Sequence, residues 1–341
     1  MLYFVIVIIG LSALIIVHEL GHFFVARYFG LLIEEFGFGI PPRIFGKKIG
    51  ETLITLNWLP IGGFVKIFGL DKESDGATVP DTRNFRKQAL WKRALIIGAG
   101  IGMNFIIGWF LLAVVYMIGI PQSLVITDIQ EQSIAESSGL LTGDRLLDFS
   151  SRDQLVGFLD SHGGQEVMMK IQRGKEILTI PIIPRVVVPR GEGNLGVFLV
   201  ETGMPQLNFI QSFGAALKNS LIICAGIFMG LIQLFIGIFS DWSMLNNFVG
   251  PVGIVNVAVE QTKLGLPYFF QLLSLISLNL AIFNLIPIPA LDGGKLFLLL
   301  IEKIKGKPLT LKTEVIANSI GFAFLLLLII SVTIKDIARL F

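Results

Sequence analysis

Long apolar segments divide this chain, and four of them reach the roughly 20 apolar residues that a helix needs to cross a bilayer. They cover about residues 2–25, 94–119, 268–286 and 314–334. Residues 121–203 have ordinary soluble composition instead, with short alternating stretches that are typical of strands. The pattern predicts a polytopic α-helical membrane protein with a small α+β domain inserted outside the bilayer.

A fifth apolar segment, residues 221–239, is expected to lie at the membrane rather than to cross it, with a true span as the alternative. With four spans, the lysines after residue 294 are cytoplasmic, as the positive-inside rule prefers, whereas a fifth span would put them outside. Small and polar residues in this segment recur at spacings of four and three, which suits close helix packing or a helix along the interface: Gly226, Gly230, Gln233, Gly237 and Ser240.

Composition and charge placement agree with a membrane protein. Of the 341 residues, 53% are hydrophobic and 15% charged, and the mean hydropathy of +0.77 excludes an ordinary soluble chain. A net charge of +2 gives no argument for a nucleic-acid partner, and the single cysteine, Cys224, excludes an internal disulfide. Basic residues concentrate between residues 30 and 93, which predicts that this segment is cytoplasmic and the N-terminus outside: Arg43, Lys47, Lys48, Lys66, Lys72, Arg83, Arg86, Lys87, Lys92 and Arg93.

The last turns of the first apolar segment contain the sequence His18-Glu19-Leu20-Gly21-His22. Residues four apart lie on one helix face, so the two imidazoles can share a zinc ion, with Glu19 beside them to take a proton from water. The alternative is a hydrogen-bonded histidine pair in a helical bundle. Burying two histidines and a carboxylate in an apolar span is costly unless they bind a metal or each other, so the motif predicts a zinc site.

A catalytic zinc needs a third protein ligand, and the segment from Asn284 to Gly294 is the best source. Pro287 and Pro289 stop the preceding helix and force extended backbone, which is tolerated at membrane depth only where it is buried or lines a wet cavity. In a four-span topology Asp292 reaches the depth of the histidine pair; its alternative role is a helix N-cap. Asn284 is expected to bind a substrate carbonyl or oxyanion, or to form an interhelical hydrogen bond.

The two motifs, in this order and in predicted spans, resemble those of the site-2 protease family of intramembrane zinc metalloproteases. The HExxH element is complete at His18–His22 and the NxxPxPxLDGG element at Asn284–Gly294. Lys295 stands where members often have a histidine that is not a metal ligand. The resemblance implies a zinc metalloendopeptidase with these site residues: His18, His22 and Asp292 as zinc ligands and Glu19 as catalytic base.

The segment Asn57–Lys66 resembles that family's membrane re-entrant β-loop, which offers an edge to an extended substrate. Edge pairing holds a substrate as a strand without reading its sequence. An ordinary turn containing two glycines is the alternative. The resemblance implies these substrate-binding residues: Gly62, Gly63, Phe64 and Val65.

The stretch Ser133–Leu147 resembles the start of a bacterial PDZ domain, and a predicted helix, Arg152–Ser161, and two strands follow it. Asp148–Ser150 replaces the usual isoleucine-asparagine-glycine. One such domain between the second and third spans makes the chain similar to the bacterial regulator-of-sigma-E protease branch, which Val249–Ile254 also echoes. His162 is interpreted as a surface residue.

This resemblance covers essentially the whole chain and implies regulated intramembrane proteolysis in the bacterial inner membrane. The substrate would be a single-span protein, such as an anti-sigma factor or a signal-peptide remnant. The active site is expected near the cytoplasmic face and the PDZ-like domain outside, as a size filter or docking site. The identity of the substrate and the oligomeric state stay open.

Two other functions, and one other metal, are compatible with the same residues. A zinc transporter would place its site near the midplane between related repeats, and no repeat relates the two motifs. A catalytically inactive scaffold would have no need of Glu19, and iron is a further metal that two histidines and a carboxylate bind.

The sequence predicts eight regions. They are residues 1–29, first transmembrane helix; 30–93, cytoplasmic-side segment with the re-entrant β-loop; 94–119, second transmembrane helix; 120–203, PDZ-like domain; 204–267, membrane-associated helix and loop; 268–294, third transmembrane helix; 295–313, cytoplasmic loop; and 314–341, fourth transmembrane helix and C-terminus.

Overall fold

The computed structural model describes residues 2–70, 79–174, 176–186, 193–237 and 250–338. Three residues of the patterns above lie outside this part of the chain: Lys72, Ser240 and Val249. The chain divides into two units, one formed by Met1–Val114 with Ile210–Phe341 and the other by Val115–Phe209.

Five helices among the described residues are long and apolar enough to cross a membrane. They are α1 (Leu2–Tyr28), α2 (Leu90–Ile118), α5 (Phe209–Gly237), α7 (Leu266–Leu285) and α9 (Leu311–Ala338). The four predicted spans correspond to α1, α2, α7 and α9. The fifth apolar segment is also helical, but its helix begins at Phe209 rather than near residue 221. A Cβ at Gly226 or Gly230 would meet no atom within 4 Å, so no described helix packs closely against these two positions of the small-residue stripe.

Helix α2 runs antiparallel to α7. The Ser277 hydroxyl of α7 donates to the Asn104 carbonyl oxygen at 2.7 Å, and the Ser274 hydroxyl, one turn earlier, donates to Gly108, one turn later, at 2.6 Å. Both serines are buried, and these bonds satisfy hydroxyls that would be costly to leave unpaired in an apolar bundle.

Helix α1 is also antiparallel to α2, and therefore runs in the same direction as α7. Gly21 of α1 lies against Ala99, whose carbonyl oxygen would be 2.4 Å from a Cβ at this position, so only glycine allows the approach. His18, one turn earlier, lies against Asn104, further along α2. The ends of α1 and α7 consequently meet on the same side of the bundle.

Strands β1 (Ile33–Ile49) and β2 (Thr52–Ile67) form one sheet in which each long strand pairs twice. Residues 43–49 pair with residues 52–57 as a hairpin. Residues 35–38 pair with residues 63–66 on one side and with residues 53–56 on the other. The segment 63–67 is therefore an outer edge of the sheet.

The remaining elements of this unit are short. Two 3-10 turns, Asp81–Arg83 and Phe85–Lys87, precede α2, and two helices flank α7: α6 (Pro251–Leu264) and α8 (Asp292–Lys305). A buried ion pair joins Arg93, near the start of α2, to Glu302 in α8, with Nη1 and Oε2 2.6 Å apart.

The second unit is a five-stranded antiparallel sheet with the strand order β6-β5-β4-β3-β7 and two helices. Its elements are β3 (Ile120–Ile129), α3 (Ile134–Ser137), β4 (Arg145–Leu146), α4 (Arg152–Ser161), β5 (Val167–Arg173), β6 (Glu176–Ile182) and β7 (Val197–Met204). The predicted helix Arg152–Ser161 and the two strands after it are confirmed. Alternation explains β5, because Val167, Met169 and Ile171 are buried in the core while Met168 is exposed.

Two polar side chains of this unit, Asp144 and His162, make close contacts with neighbouring residues. Asp144 is buried and accepts hydrogen bonds from the Arg173 guanidinium at 2.7 and 2.8 Å and from the Leu141 N–H at 2.8 Å. Burial alone would raise the pKa of Asp144, but these donors hold it below its ordinary value. His162, interpreted from sequence as a surface residue, is partly exposed, and its ring stacks on Phe158 with the centroids 4.3 Å apart.

Candidate metal centre

The Nε2 atoms of the two histidines of α1, His18 and His22, lie close together. Their rings meet edge to face with centroids 4.9 Å apart, and their Nε2 atoms are 3.3 Å apart. His22 is buried, and its Nδ1 lies 2.8 Å from the Ile96 carbonyl oxygen of α2. Because that carbonyl can only accept, His22 must carry its proton on Nδ1, which leaves the Nε2 lone pair free.

Asp292 completes the group from the other end of the chain. Its Oδ2 atom lies 3.2 Å from the Nε2 atoms of both His18 and His22. Within the described residues, these three form the only group of three or more His, Cys, Asp or Glu side chains that could hold a metal ion. Asp292 is the first residue of α8, the N-cap position belongs to Leu291, and no side-chain capping bond forms there. The alternative interpretation of Asp292 as the N-cap is therefore wrong.

The loop before Asp292 folds sharply back on itself. Ala290 has a φ of 79°, which is unusual for a residue other than glycine, and its N–H donates to the Asn318 amide oxygen of α9 at 3.1 Å. The two glycines after Asp292 let α8 begin against this loop, because a Cβ at Gly293 or Gly294 would lie 2.2–2.3 Å from a loop carbonyl oxygen. The Pro-x-Pro and Gly-Gly portions of the motif thus place the carboxylate.

The three ligand atoms fit zinc. Their separations of 3.2–3.3 Å form a nearly equilateral triangle, and tetrahedral bonds of about 2.0–2.1 Å would separate ligand atoms by roughly 3.3 Å. Asp292 Oδ2 is buried and has no hydrogen-bond donor, so a cation there would satisfy it. Two imidazoles and one carboxylate are a donor set of catalytic zinc sites, which keep a fourth position open.

Glu19 lines a cavity of about 300 Å³ together with all three of these residues. The outer edge of the β1–β2 sheet borders the same cavity, since Phe64 and Val65 line it and a Cβ at Gly63 would lie 3.6 Å from Glu19 Cγ. Asn284 is another lining residue, and among the described residues its amide has no hydrogen-bond partner. The structure thus brings together every predicted site residue except Gly62, whose missing Cβ faces Ile40 and which does not line the cavity.

Three further residues contribute to this site and were not among the predicted site residues. Gly100 and Asn104 of α2 contact the two histidines, and Lys295 lines the cavity beside Asp292. A polar residue such as Asn104 within an apolar span is a signal that could have been followed. Gly100 gives no such signal, because its importance depends on which helix packs against it.

The chain matches a known peptidase family and resembles named zinc metalloproteases. A model of peptidase family M50 matches residues 6–328. The chain is similar to a Clostridium perfringens protein whose name includes the words zinc metalloprotease, with 32% identity over 346 residues, 98% of each chain. It is also similar to the zinc metalloprotease RasP of Bacillus licheniformis, with 30% identity over 416 residues and 97% of each chain covered. For the regulator of sigma-W protease RasP of Bacillus subtilis the identity is 29% over 419 residues, 98% of each chain.

Proposed function

Because this chain belongs to peptidase family M50 and is a multi-pass zinc metalloprotease, we propose that it hydrolyses peptide bonds of single-span membrane proteins within or beside the bilayer. One observation carries the proposal. His18, His22 and Asp292 form a zinc-sized triangle beside Glu19, and the helix that holds the histidines is apolar enough to cross a membrane.

The proposed chemistry divides between the metal and two residues of the chain, Glu19 and Asn284. Zinc, when bound, supplies Lewis acidity toward a water molecule and the scissile carbonyl. The Glu19 carboxylate, which faces the cavity, takes a proton from the attacking water and passes it to the leaving amine. The amide of Asn284, which lines the same cavity, would donate to the carbonyl oxygen as negative charge develops there.

The substrate is proposed to bind as an extended strand along residues 63–67. This segment is paired with β1 on one side only, and no strand among the described residues pairs with its other side. Because Phe64 and Val65 line the cavity, a strand added there would pass Glu19 with its peptide groups exposed. Main-chain pairing would accept many sequences.

We propose four spans, α1, α2, α7 and α9, with the N-terminus and the second unit outside the bacterial inner membrane and the metal centre near its cytoplasmic face. The common direction of α1 and α7 supports this, because the chain must then cross the membrane an even number of times between the end of α2 and the start of α7. A crossing by α5 would need a return, and α6, at 14 residues and about 21 Å, is shorter than a bilayer core of about 30 Å. Helix α5 is therefore proposed to lie at the outer surface.

The second unit is proposed to be a PDZ-like domain that selects substrates. Its edge strand β7 and helix α4 border a cleft of about 430 Å³, which suits an extended peptide. The relative named as a regulator of sigma-W protease supports substrates of the anti-sigma type, and signal-peptide remnants have the same single-span character.

The experiment that tests this function compares the purified, detergent-solubilised wild-type chain with Glu19→Gln on a model single-span substrate, with zinc content measured for both. Glu260→Gln is the matched control, because Glu260 is an exposed carboxylate that pairs only with Lys263. We expect all three to bind equal zinc and only Glu19→Gln to lose cleavage, by at least about 100-fold. Equal cleavage by wild type and Glu19→Gln, or zinc transport into vesicles without cleavage, would contradict the proposal.

A further inference from the structure

Asn104 of α2 lies directly behind His18, on the side of the ring that faces away from Asp292. We propose that Asn104 is a positioning residue for the metal centre: its amide oxygen accepts a hydrogen bond from the His18 Nδ1–H and so keeps the Nε2 lone pair directed at the metal. This inference rests on the proposed zinc site, and it concerns a side chain outside the two motifs that carry the ligands and the base.

The contact is close and enclosed. An end atom of the Asn104 amide, placed as Nδ2, lies 3.1 Å from His18 Nδ1, and Asn104 is only 1% exposed. The other end of the same amide, placed as Oδ1, is buried without a hydrogen-bond partner. The oxygen and nitrogen ends of an amide have nearly the same shape, so the hydrogen-bond network decides which end faces the ring.

Chemistry decides between the two orientations. If the amide nitrogen faced the ring, Nδ1 would have to accept, the proton would sit on Nε2, and His18 would have no lone pair for a metal. Turning the amide by half a rotation places the oxygen against Nδ1–H, where it accepts, and frees Nε2 toward His22 and Asp292.

His22 has the same arrangement with a partner that cannot rotate. Its Nδ1 faces the Ile96 carbonyl oxygen at 2.8 Å, which forces the proton onto Nδ1. Helix α2 therefore supplies one acceptor to each histidine, a main-chain carbonyl at Ile96 and a side-chain amide two turns later. Histidine ligands of zinc are typically fixed by such outer acceptors.

The position of Asn104 is itself fixed by the bundle. Its backbone carbonyl accepts from the Ser277 hydroxyl of α7 at 2.7 Å. One turn earlier, a Cβ at Gly100 would lie 2.6 Å from His18 Cε1, so α2 is as close to the metal centre as the chain allows. The amide reaches His18 without strain on either helix because the glycine permits this approach.

The first test measures zinc affinity of the purified full chain by competition with a chelator, without any cleavage assay. We expect Asn104→Ala to bind zinc about 10–100-fold more weakly than wild type, and Asn104→Asp to stay within about threefold, because a carboxylate also accepts from Nδ1–H. Ser274→Ala is the matched control, since it removes a buried hydrogen bond between the same two helices, to the Gly108 carbonyl oxygen, and does not touch Asn104. Wild-type affinity in Asn104→Ala, or equal losses in the Ala and Asp variants, would overturn the proposal.

The second test needs no variant at position 104 and so holds even if Asn104→Ala does not fold. The chain has only three histidines, so nitrogen NMR of the 15N-histidine-labelled protein with zinc, with His162→Gln to remove the outer histidine, resolves both ligands. We expect His18 to have a protonated Nδ1 and a metal-bound Nε2. Metal bound at Nδ1 of His18 would refute the assignment.

These outcomes are separable from failure of the proposed function. If Glu19→Gln cleaves as well as wild type, the protease mechanism fails while zinc affinity in the Asn104 variants still decides the positioning role. If Asn104→Ala keeps full affinity, only the positioning role fails.

Discussion

A Cβ placed on Gly100 of α2 would lie 2.3 Å from Nε2 of His22, inside contact distance of a metal-ligand atom. The second helix thus forms one wall of the metal centre without supplying a ligand. Any side chain at this position would enter the space between the two histidine rings, because the same Cβ would be 2.6 Å from His18 Cε1.

We therefore expect Gly100→Ala to weaken zinc binding while leaving the fold intact. Alanine favours a helix over glycine by about 1 kcal/mol, so α2 itself should not suffer, whereas the methyl group must displace a ligand ring. Zinc affinity should fall at least about tenfold by chelator competition, as for other disturbed ligand rings. Gly98→Ala and Gly102→Ala are matched controls on the same helix, because a Cβ at either position meets nothing within 4 Å. Equal zinc affinity in all three variants would show that α2 can move away from the histidine rings and make room for the methyl group.

The sequence was sufficient for the parts of this fold that depend on one element at a time. Apolar length identified α1, α2, α7 and α9, and helical spacing put His18 and His22 on one face. The requirement for a third ligand, together with two prolines that end a helix, led to Asp292. Each of these inferences needs only the local pattern and one general rule.

The features that the sequence did not predict depend on neighbours. The start of α5 at Phe209 was not predicted, because polar residues such as Lys218 and Asn219 shorten the apolar segment without breaking the helix. The central place of residues 35–38 follows from pairing with two parts of β2, which no alternation pattern indicates. The role of Gly100 likewise appears only when α1 packs against α2.

The buried ion pair between Arg93 and Glu302 is expected to stabilise the junction of α2 and α8. The two side chains are 6% and 3% exposed, so removing one leaves an uncompensated buried charge. Glu302→Ala should cost about 3–5 kcal/mol of unfolding free energy, measured by thermal unfolding in detergent, and the double variant Arg93→Met with Glu302→Leu should recover most of this loss. Glu260→Ala, which breaks an exposed pair with Lys263, should cost no more than about 1 kcal/mol. A loss in the double variant as large as in Glu302→Ala would contradict this view.

The low pKa of Asp144 predicts a pH dependence for the second unit. The folded pKa of this carboxyl lies below its unfolded pKa of about 3.9. The carboxyl therefore stabilises the fold at pH values above the unfolded pKa, and this stabilisation is lost as the pH falls through the folded pKa. Protection of this unit against hydrogen exchange, measured by mass spectrometry and corrected for the intrinsic rate, should thus be nearly constant between about pH 5 and pH 7, because the carboxyl is fully ionised there. Protection should fall as the pH drops below about 4.

Asp144→Asn is the matched variant for this effect. It keeps the shape of the side chain but removes the charge that pairs with Arg173, so protection near neutral pH should fall by about 2 kcal/mol. The loss of protection below about pH 4 should be smaller in the same variant, because Asp144 no longer contributes to it. An unchanged acid response in Asp144→Asn would assign the effect to other carboxyls.

Gly63 offers a test of how a substrate strand reaches Glu19. A Cβ at Gly63 would lie 3.6 Å from Glu19 Cγ and 3.8 Å from Ile16 Cγ1, so a side chain there extends toward Glu19, the proposed catalytic base, and not toward the three proposed zinc ligands. We expect Gly63→Val to lower kcat/KM for a single-span substrate at least about tenfold, because a misplaced reacting group loses that much or more, while zinc content stays at the wild-type level.

Gly63→Ala gives the graded control for this position. Its single methyl group makes an ordinary contact with Glu19 and a tighter one, at 3.1 Å, with the Gly37 carbonyl oxygen, so its cleavage rate should fall between those of wild type and Gly63→Val. Loss of zinc in parallel with loss of cleavage would mean that the strand supports the metal centre instead of the substrate. Full cleavage by Gly63→Val would exclude residues 63–67 as the edge along which the substrate lies.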